Sequence, residues 1–135
     1  MVINTKVEEK TLKTQISTAS APKAIGPYSQ AIEAGPYIFV SGQLPIDPGT
    51  GFMKEDIGEQ TRQSIKNICA ILSECGLTLA NVVKTTVFMT DLSKFSDMNN
   101  VYAEYFSAPH PARSAVEVVR LPKNACVEIE CIAVK

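Results

Sequence analysis

Residues 111–134 read Pro-Ala-Arg-Ser-Ala-Val-Glu-Val-Val-Arg-Leu-Pro-Lys-Asn-Ala-Cys-Val-Glu-Ile-Glu-Cys-Ile-Ala-Val. Apolar and polar residues alternate over Arg113–Val119 and again over Cys126–Val134, the two-residue period of a half-buried strand. Leu121-Pro122-Lys123-Asn124 between them carries turn chemistry. The simplest closure is a hairpin around Pro122-Lys123, with Glu117 opposite Glu128. One face then holds Val116, Val118, Val127, Ile129 and Cys131. The other holds Arg113, Ala115, Glu117, Glu128, Glu130 and Ile132, which puts Arg113 and Glu128 on a common polar face.

Working back from that hairpin, Lys94–Phe106 has the apolar spacing of a helix (Phe95, Met98, Tyr102, Tyr105, Phe106), with Asp91 or Ser93 as its cap and Pro109-His110-Pro111 as its end. Val82–Thr90 is rich in Val and Thr and reads as a strand. Gly58–Cys75 is the clearest helix: Ile65, Ile68, Cys69, Leu72 and Cys75 form one stripe, and Gly76 supplies the stop. Pro45–Gly51 is a turn-rich loop. Tyr28–Ala34 and Tyr37–Ser41 read as strands meeting at Gly35-Pro36. Ala24–Pro27 is a breaker cluster, and Lys13–Thr18 is strand-like. The order ββ(β)αβαββ describes an α+β two-layer sandwich, with about six strands and two helices. Two helices cover one face of such a sheet, so the other face is expected to meet another subunit.

The chain has 135 residues, 45% of them hydrophobic, and a formal net charge of -1. That is the size of one domain, taken here as residues 13–135. Residues 1–12 are polar and read as a frayed tail that fits neither a secretory nor a transit signal. The charge balance speaks against a polyanion-binding surface. No apolar run is long enough to span a bilayer. Four cysteines without a C-x-x-C pair and a single histidine, His110, supply no zinc cluster. The cysteines read as reduced thiols, at least two of them in the core, and point to the cytoplasm.

Several residues could carry chemistry. A guanidinium at Arg113 presents a fork to a planar carboxylate; from spacing alone, a surface arginine pairing with Glu117 or Glu130 is the commoner outcome. Glu128 could hold a water as a general base, or be an exposed strand residue like Glu130. Ser41-Gly42 ends a strand where glycine permits close backbone approach to a ligand; a plain strand terminus followed by a turn is the commoner outcome. Tyr28 is a polar-tipped aromatic after Gly26-Pro27, with packing as the alternative. Asn99 lies mid-helix between Phe95 and Tyr102 and is either buried with partners or solvated. His110 has no triad partners and reads as a loop residue. No nucleophile elbow, phosphate loop or dinucleotide fingerprint occurs.

These segments together resemble one family. The blocks are Ala24-Ile25-Gly26-Pro27-Tyr28-Ser29-Gln30, Phe39-Val40-Ser41-Gly42-Gln43, Lys84-Thr85-Thr86-Val87-Phe88, Pro111-Ala112-Arg113-Ser114, Arg120-Leu121-Pro122-Lys123 and Val127-Glu128-Ile129-Glu130. They stand in the order of the RidA/YjgF family, also named L-PSP endoribonuclease. The resemblance covers about residues 13–135. It implies a chorismate-mutase-like fold and a homotrimer with sites in the clefts between subunits. It also implies hydrolysis of 2-aminoacrylate and related enamines and imines to 2-keto acids and ammonia, with no metal or organic cofactor. Family site residues carry over onto Tyr28, Ser41, Gly42, Asn99, Arg113 and Glu128. The position two after the arginine, often cysteine in the family, is Ala115, so a thiol role there is absent; catalysis is kept if only the backbone of Ala115 touches the ligand. The expected partner is a small carboxylate imine or its 2-keto acid. Two rival readings are a nuclease or translation inhibitor, disfavoured by one histidine and the charge balance, and a non-catalytic metabolite-binding trimer.

Overall fold

The computed structural model describes residues 12–135; of the expected N-terminal tail, residues 1–11 lie outside them. The element order is β1 (Thr14–Ile16), β2 (Ala31–Ala34), β3 (Tyr37–Gln43), α1 (Ile57–Glu74), β4 (Val82–Met89), α2 (Phe95–Tyr105), β5 (Ala112–Glu117) and β6 (Val127–Val134). The strands form one six-stranded mixed sheet in the order β1-β2-β3-β6-β4-β5. Both helices pack on one face of it, with Ile65, Ile68, Ile71 and Leu72 of α1 and Met98 of α2 buried against Ile38, Val40, Val87, Ile129 and Cys131. The α+β expectation holds. Among the described residues, no helix is long and apolar enough to cross a membrane.

Local chemistry sets the helix limits. The Asp56 carboxylate accepts the Glu59 N–H at 2.9 Å and caps α1. At its other end Gly76, at φ 72°, carries the chain out of the helix, and the Leu77 and Gly76 amides donate to the Leu72 and Ser73 carbonyls.

The C-terminal hairpin does not form. β5 pairs with β4 in parallel, and β6 pairs antiparallel with β3 on one side and β4 on the other. β4 therefore stands between the two strands expected to be neighbours. Burial explains the arrangement. Val127, Ile129, Cys131 and Ala133 are all buried, so β6 takes the centre, where both its edges are hydrogen-bonded. β5 has no fully buried residue and takes the edge. α2 supplies the long crossover that a parallel β4–β5 pair requires.

This changes which face each residue occupies. Arg113 stands in one row with Thr85 and Cys131, and Glu128 three rows along with Phe88 and Val116. The offset from the hairpin register is one residue, which moves a side chain to the opposite face. Arg113, Ala115 and Glu117 face the helices; Glu128 and Glu130 face the open side. Glu117 does not lie opposite Glu128; its Oε1 accepts the Leu92 amide at 3.0 Å.

Candidate active site

Glu128 is positioned by an irregularity in β3. Val40 pairs with Cys131 and Gln43 with Ile129, so three steps along β3 match two along β6. The extra residue is a bulge at Ser41-Gly42, which breaks the ladder and frees backbone groups for other partners. Gly42 is needed there because the Glu128 carboxylate lies directly over it. A Cβ on Gly42 would sit 2.5 Å from Glu128 Oε1 and 2.9 Å from its Cδ. Burial pushes the Glu128 carboxyl above its ordinary pKa, and the charge of Glu130 pushes it further the same way. The carboxylate is thus a stronger base than a free glutamate.

Ser41 ties this bulge to the loop that carries Tyr28. Its hydroxyl donates to the Ser29 carbonyl at 2.6 Å, and its amide donates to the Gln30 carbonyl at 2.9 Å. Gln30 is buried and braces the same loop: Nε2 donates to the carbonyls of Thr18, Ala21 and Pro22, and Oε1 accepts the Thr18 amide. Tyr28 and Gly42 line a recess of about 240 Å³ together with Ile25, Gln43, Leu44 and Lys123.

Arg113 occupies a second recess, of about 400 Å³, with Asn99, Tyr102, Ala103, His110 and Pro111. Its Nη1 donates to Asn99 Oδ1 at 2.7 Å. Its guanidinium carbon lies 4.7 Å from the Tyr102 ring centre and 5.4 Å from that of Phe95. The alternative of a surface pair with Glu117 or Glu130 is not the arrangement found. Ala115 follows two residues on, partly buried against the core.

The expected site residues therefore fall into two groups. Tyr28, Ser41, Gly42 and Glu128 gather at the bulged end of β3; Asn99, Arg113 and Ala115 gather between α2 and β5. One group holds the Glu128 carboxylate and no guanidinium, the other the Arg113 guanidinium and no carboxylate. Sequence reasoning left Gln30 without a role and made His110 an ordinary loop residue, although it lines the Arg113 recess. Tyr102 was visible as a helical neighbour of Asn99. Lys123, at φ 58°, bore no signal of its left-handed backbone. Among the described residues no group of three or more His, Cys, Asp or Glu side chains could hold a metal ion. All four cysteines are free thiols, and burial pushes Cys131 up to about 12.

A family model described as endoribonuclease L-PSP matches residues 18–135. The chain belongs to the RidA/YjgF family. Within that family it is 56% identical to a RutC family protein of Pyrococcus horikoshii, over 92% of this chain and 99% of the relative. It is 49% identical to the 2-iminobutanoate/2-iminopropanoate deaminase of Salmonella typhimurium, over 89% of this chain and 96% of that protein. The crystal structure of Escherichia coli TdcF with bound serine superposes with a TM-score of 0.86 at 44% identity, covering 90% of this chain and 98% of that one.

Proposed function

We propose that the protein is an enamine/imine deaminase that hydrolyses 2-imino acids to 2-keto acids and ammonia, in a site shared between two subunits of a homotrimer. The observation that carries this reading is the separation of Arg113 and Glu128 onto opposite faces of the sheet, in two groups of residues. Arg113, steadied by Asn99, binds the substrate carboxylate through its free N–H groups. Glu128 of a neighbouring subunit takes a proton from water as the water oxygen bonds to the imine carbon. Glu128 returns that proton to the nitrogen, which gives a neutral carbinolamine. In the collapse the carbinolamine hydroxyl proton passes through Glu128 to the nitrogen as the C=O bond forms and the C–N bond breaks, so ammonia leaves a 2-keto acid. Backbone N–H groups at Gly42 and Ala115 and the Tyr28 hydroxyl hold the bound acid in register. Positioned base catalysis contributes about 10²–10⁴-fold, and its raised pKa suits Glu128 to the task.

The uncovered sheet face supports the assembly. Tyr37, Phe39 and Val116 are exposed on it at 47%, 44% and 42%, beside Ile132 and Phe88. An apolar patch of this kind on a sheet face marks a contact surface. In a closed ring every interface joins two different surfaces, as a site with a clamp on one side and a base on the other requires.

The test has two parts. Keto-acid and ammonia release is measured from freshly generated 2-aminoacrylate; no acceleration over the free imine refutes the deaminase. Arg113→Ala and Tyr28→Ala chains, each inactive alone, are then unfolded and refolded together, and mixed trimers are identified by mass. Some clefts in a mixed trimer join an intact Arg113 to an intact Tyr28, so activity well above either parent is expected. Mixed trimers that form and remain inactive refute the shared site.

A further inference from the structure

Two arginines of this chain rest on aromatic rings of α2, and their environments differ in one respect. Arg62 lies 5.7 Å from the Tyr105 ring centre, and its Nη1 donates to the Glu104 carboxylate at 2.7 Å. Its charge is balanced within the chain. Arg113 lies 4.7 Å from the Tyr102 ring centre, but its Nη1 meets the neutral amide oxygen of Asn99. It takes part in none of the ion pairs among the described residues. An amide oxygen orients a guanidinium without neutralising it, so the charge stays available to an anion.

The ring beneath Arg113 is itself immobilised. Tyr102 is buried on α2, and its hydroxyl is 2.8 Å from that of Thr85, which is fully buried. Thr85 and Arg113 are register partners on adjacent strands. The phenol therefore reaches the strand position beside the arginine while its face meets the guanidinium. Phe106 stacks on the same ring at 4.4 Å, 29° from parallel. Tyr102 and Asn99 are three residues apart and share one side of the helix. The ring constrains the tilt of the guanidinium plane, and Asn99 constrains its rotation within the plane.

We propose that Tyr102, anchored by Thr85, is a positioning residue that holds the Arg113 fork in the orientation a substrate carboxylate needs. The inference rests on the carboxylate-clamp reading of Arg113. A fork that swings freely loses two-point binding, because both N–H groups must align with both carboxylate oxygens.

The experiment uses the full-length assembled protein and 2-oxobutanoate, a stable 2-keto acid, titrated by calorimetry, with a melting curve for each variant. Tyr102→Leu removes the ring, and its dissociation constant is expected to rise about 5–30-fold, the range of a partly desolvated cation–π contact. Thr85→Val strands the phenol hydroxyl and is expected to weaken binding as well; adding Tyr102→Phe removes the stranded group, keeps the ring and restores affinity. The pH dependence of turnover that comes from Glu128 should be unchanged in Tyr102→Leu, because Glu128 lies on the opposite face of the sheet from Tyr102 and Arg113 of the same chain; general damage to the fold would move it. Parent-like affinity in Tyr102→Leu overturns the proposal. So does a Thr85→Val loss that Tyr102→Phe fails to restore, and that pair decides the matter if Tyr102→Leu does not fold. Arg113→Lys separates the two levels. If it too leaves 2-oxobutanoate binding unchanged, the carboxylate clamp falls along with the positioning role. If it abolishes binding while Tyr102→Leu does not weaken it, only the positioning role falls.

Discussion

Replacing Gly42 by alanine should cost far more activity than stability. The added methyl would stand 2.5 Å from Glu128 Oε1 and 2.9 Å from its Cδ, whereas non-bonded heavy atoms settle near 3.5 Å. The carboxylate must retreat by roughly 1 Å. It can do so by rotating its outer bonds, at about 0.5–1.5 kcal/mol for an off-rotamer side chain, which lowers the melting temperature by a few degrees. A 1 Å error in the position of a reacting group costs about 10²-fold in rate. The assay is keto-acid formation from an imine generated in situ, alongside thermal melting. Gly35→Ala is the control: Gly35 stands at φ 58° with nothing near its Cβ position. It should lose about 1–2 kcal/mol of stability to left-handed strain and keep its activity once folded. The route through Glu128 is checked in a double-mutant cycle. In a Glu128→Gln background Gly42→Ala should cost almost nothing further. Near-parental turnover in Gly42→Ala refutes the argument, as does full additivity with Glu128→Gln, which would mean that Gly42 acts by another route.

Arg113→Lys should lower turnover at least about 10²-fold with an unchanged melting temperature, since lysine keeps the charge and loses the fork; steady-state kinetics at matched folding decide it. Glu128→Gln should lose about 10²–10⁴-fold in rate while 2-oxobutanoate affinity changes little. In the parent, the acid limb of kcat/KM should lie above the ordinary glutamate value of 4.5, and it should be absent in the variant. Glu128 also predicts the pH course of stability. The folded chain holds this proton to higher pH than the unfolded one, so its contribution is full below the unfolded pKa and is lost as pH rises through the folded value. Denaturant unfolding should therefore show Glu128→Gln gaining on the parent as pH rises above the ordinary glutamate value of 4.5. Ser41→Ala removes the 2.6 Å bond to the Ser29 carbonyl and should raise KM through the loosened Tyr28 loop, at a cost of about 1 kcal/mol in stability.

Composition and periodicity alone specified a great deal. The apolar stripe from Ile65 to Leu72 with Gly76 behind it placed α1, and Val82–Thr90 placed β4, because both signals are local: burial on one side of an element imposes a period on its own residues. Alternation within Cys126–Val134 also identified which side of β6 is buried, and the separate motif blocks named the family. The pairing of strands was not available in the same way. Alternation states that Arg113 and Glu128 each belong to a two-faced strand, but it does not say which faces coincide. That depends on the neighbour each strand chooses, and β5 lies beside β4 in parallel rather than beside β6. One residue of register separates a common polar face from opposite faces. The deciding term is the competition of all strands for the centre of the sheet, which the fully apolar inner row of β6 wins. Only the tertiary structure could show the bulge that lays Glu128 over Gly42, the ring of Tyr102 under Arg113, and the placement of Arg113 and Glu128 on opposite faces of the sheet. Each of these follows from contacts between residues far apart in the chain, for which no local pattern carries a trace.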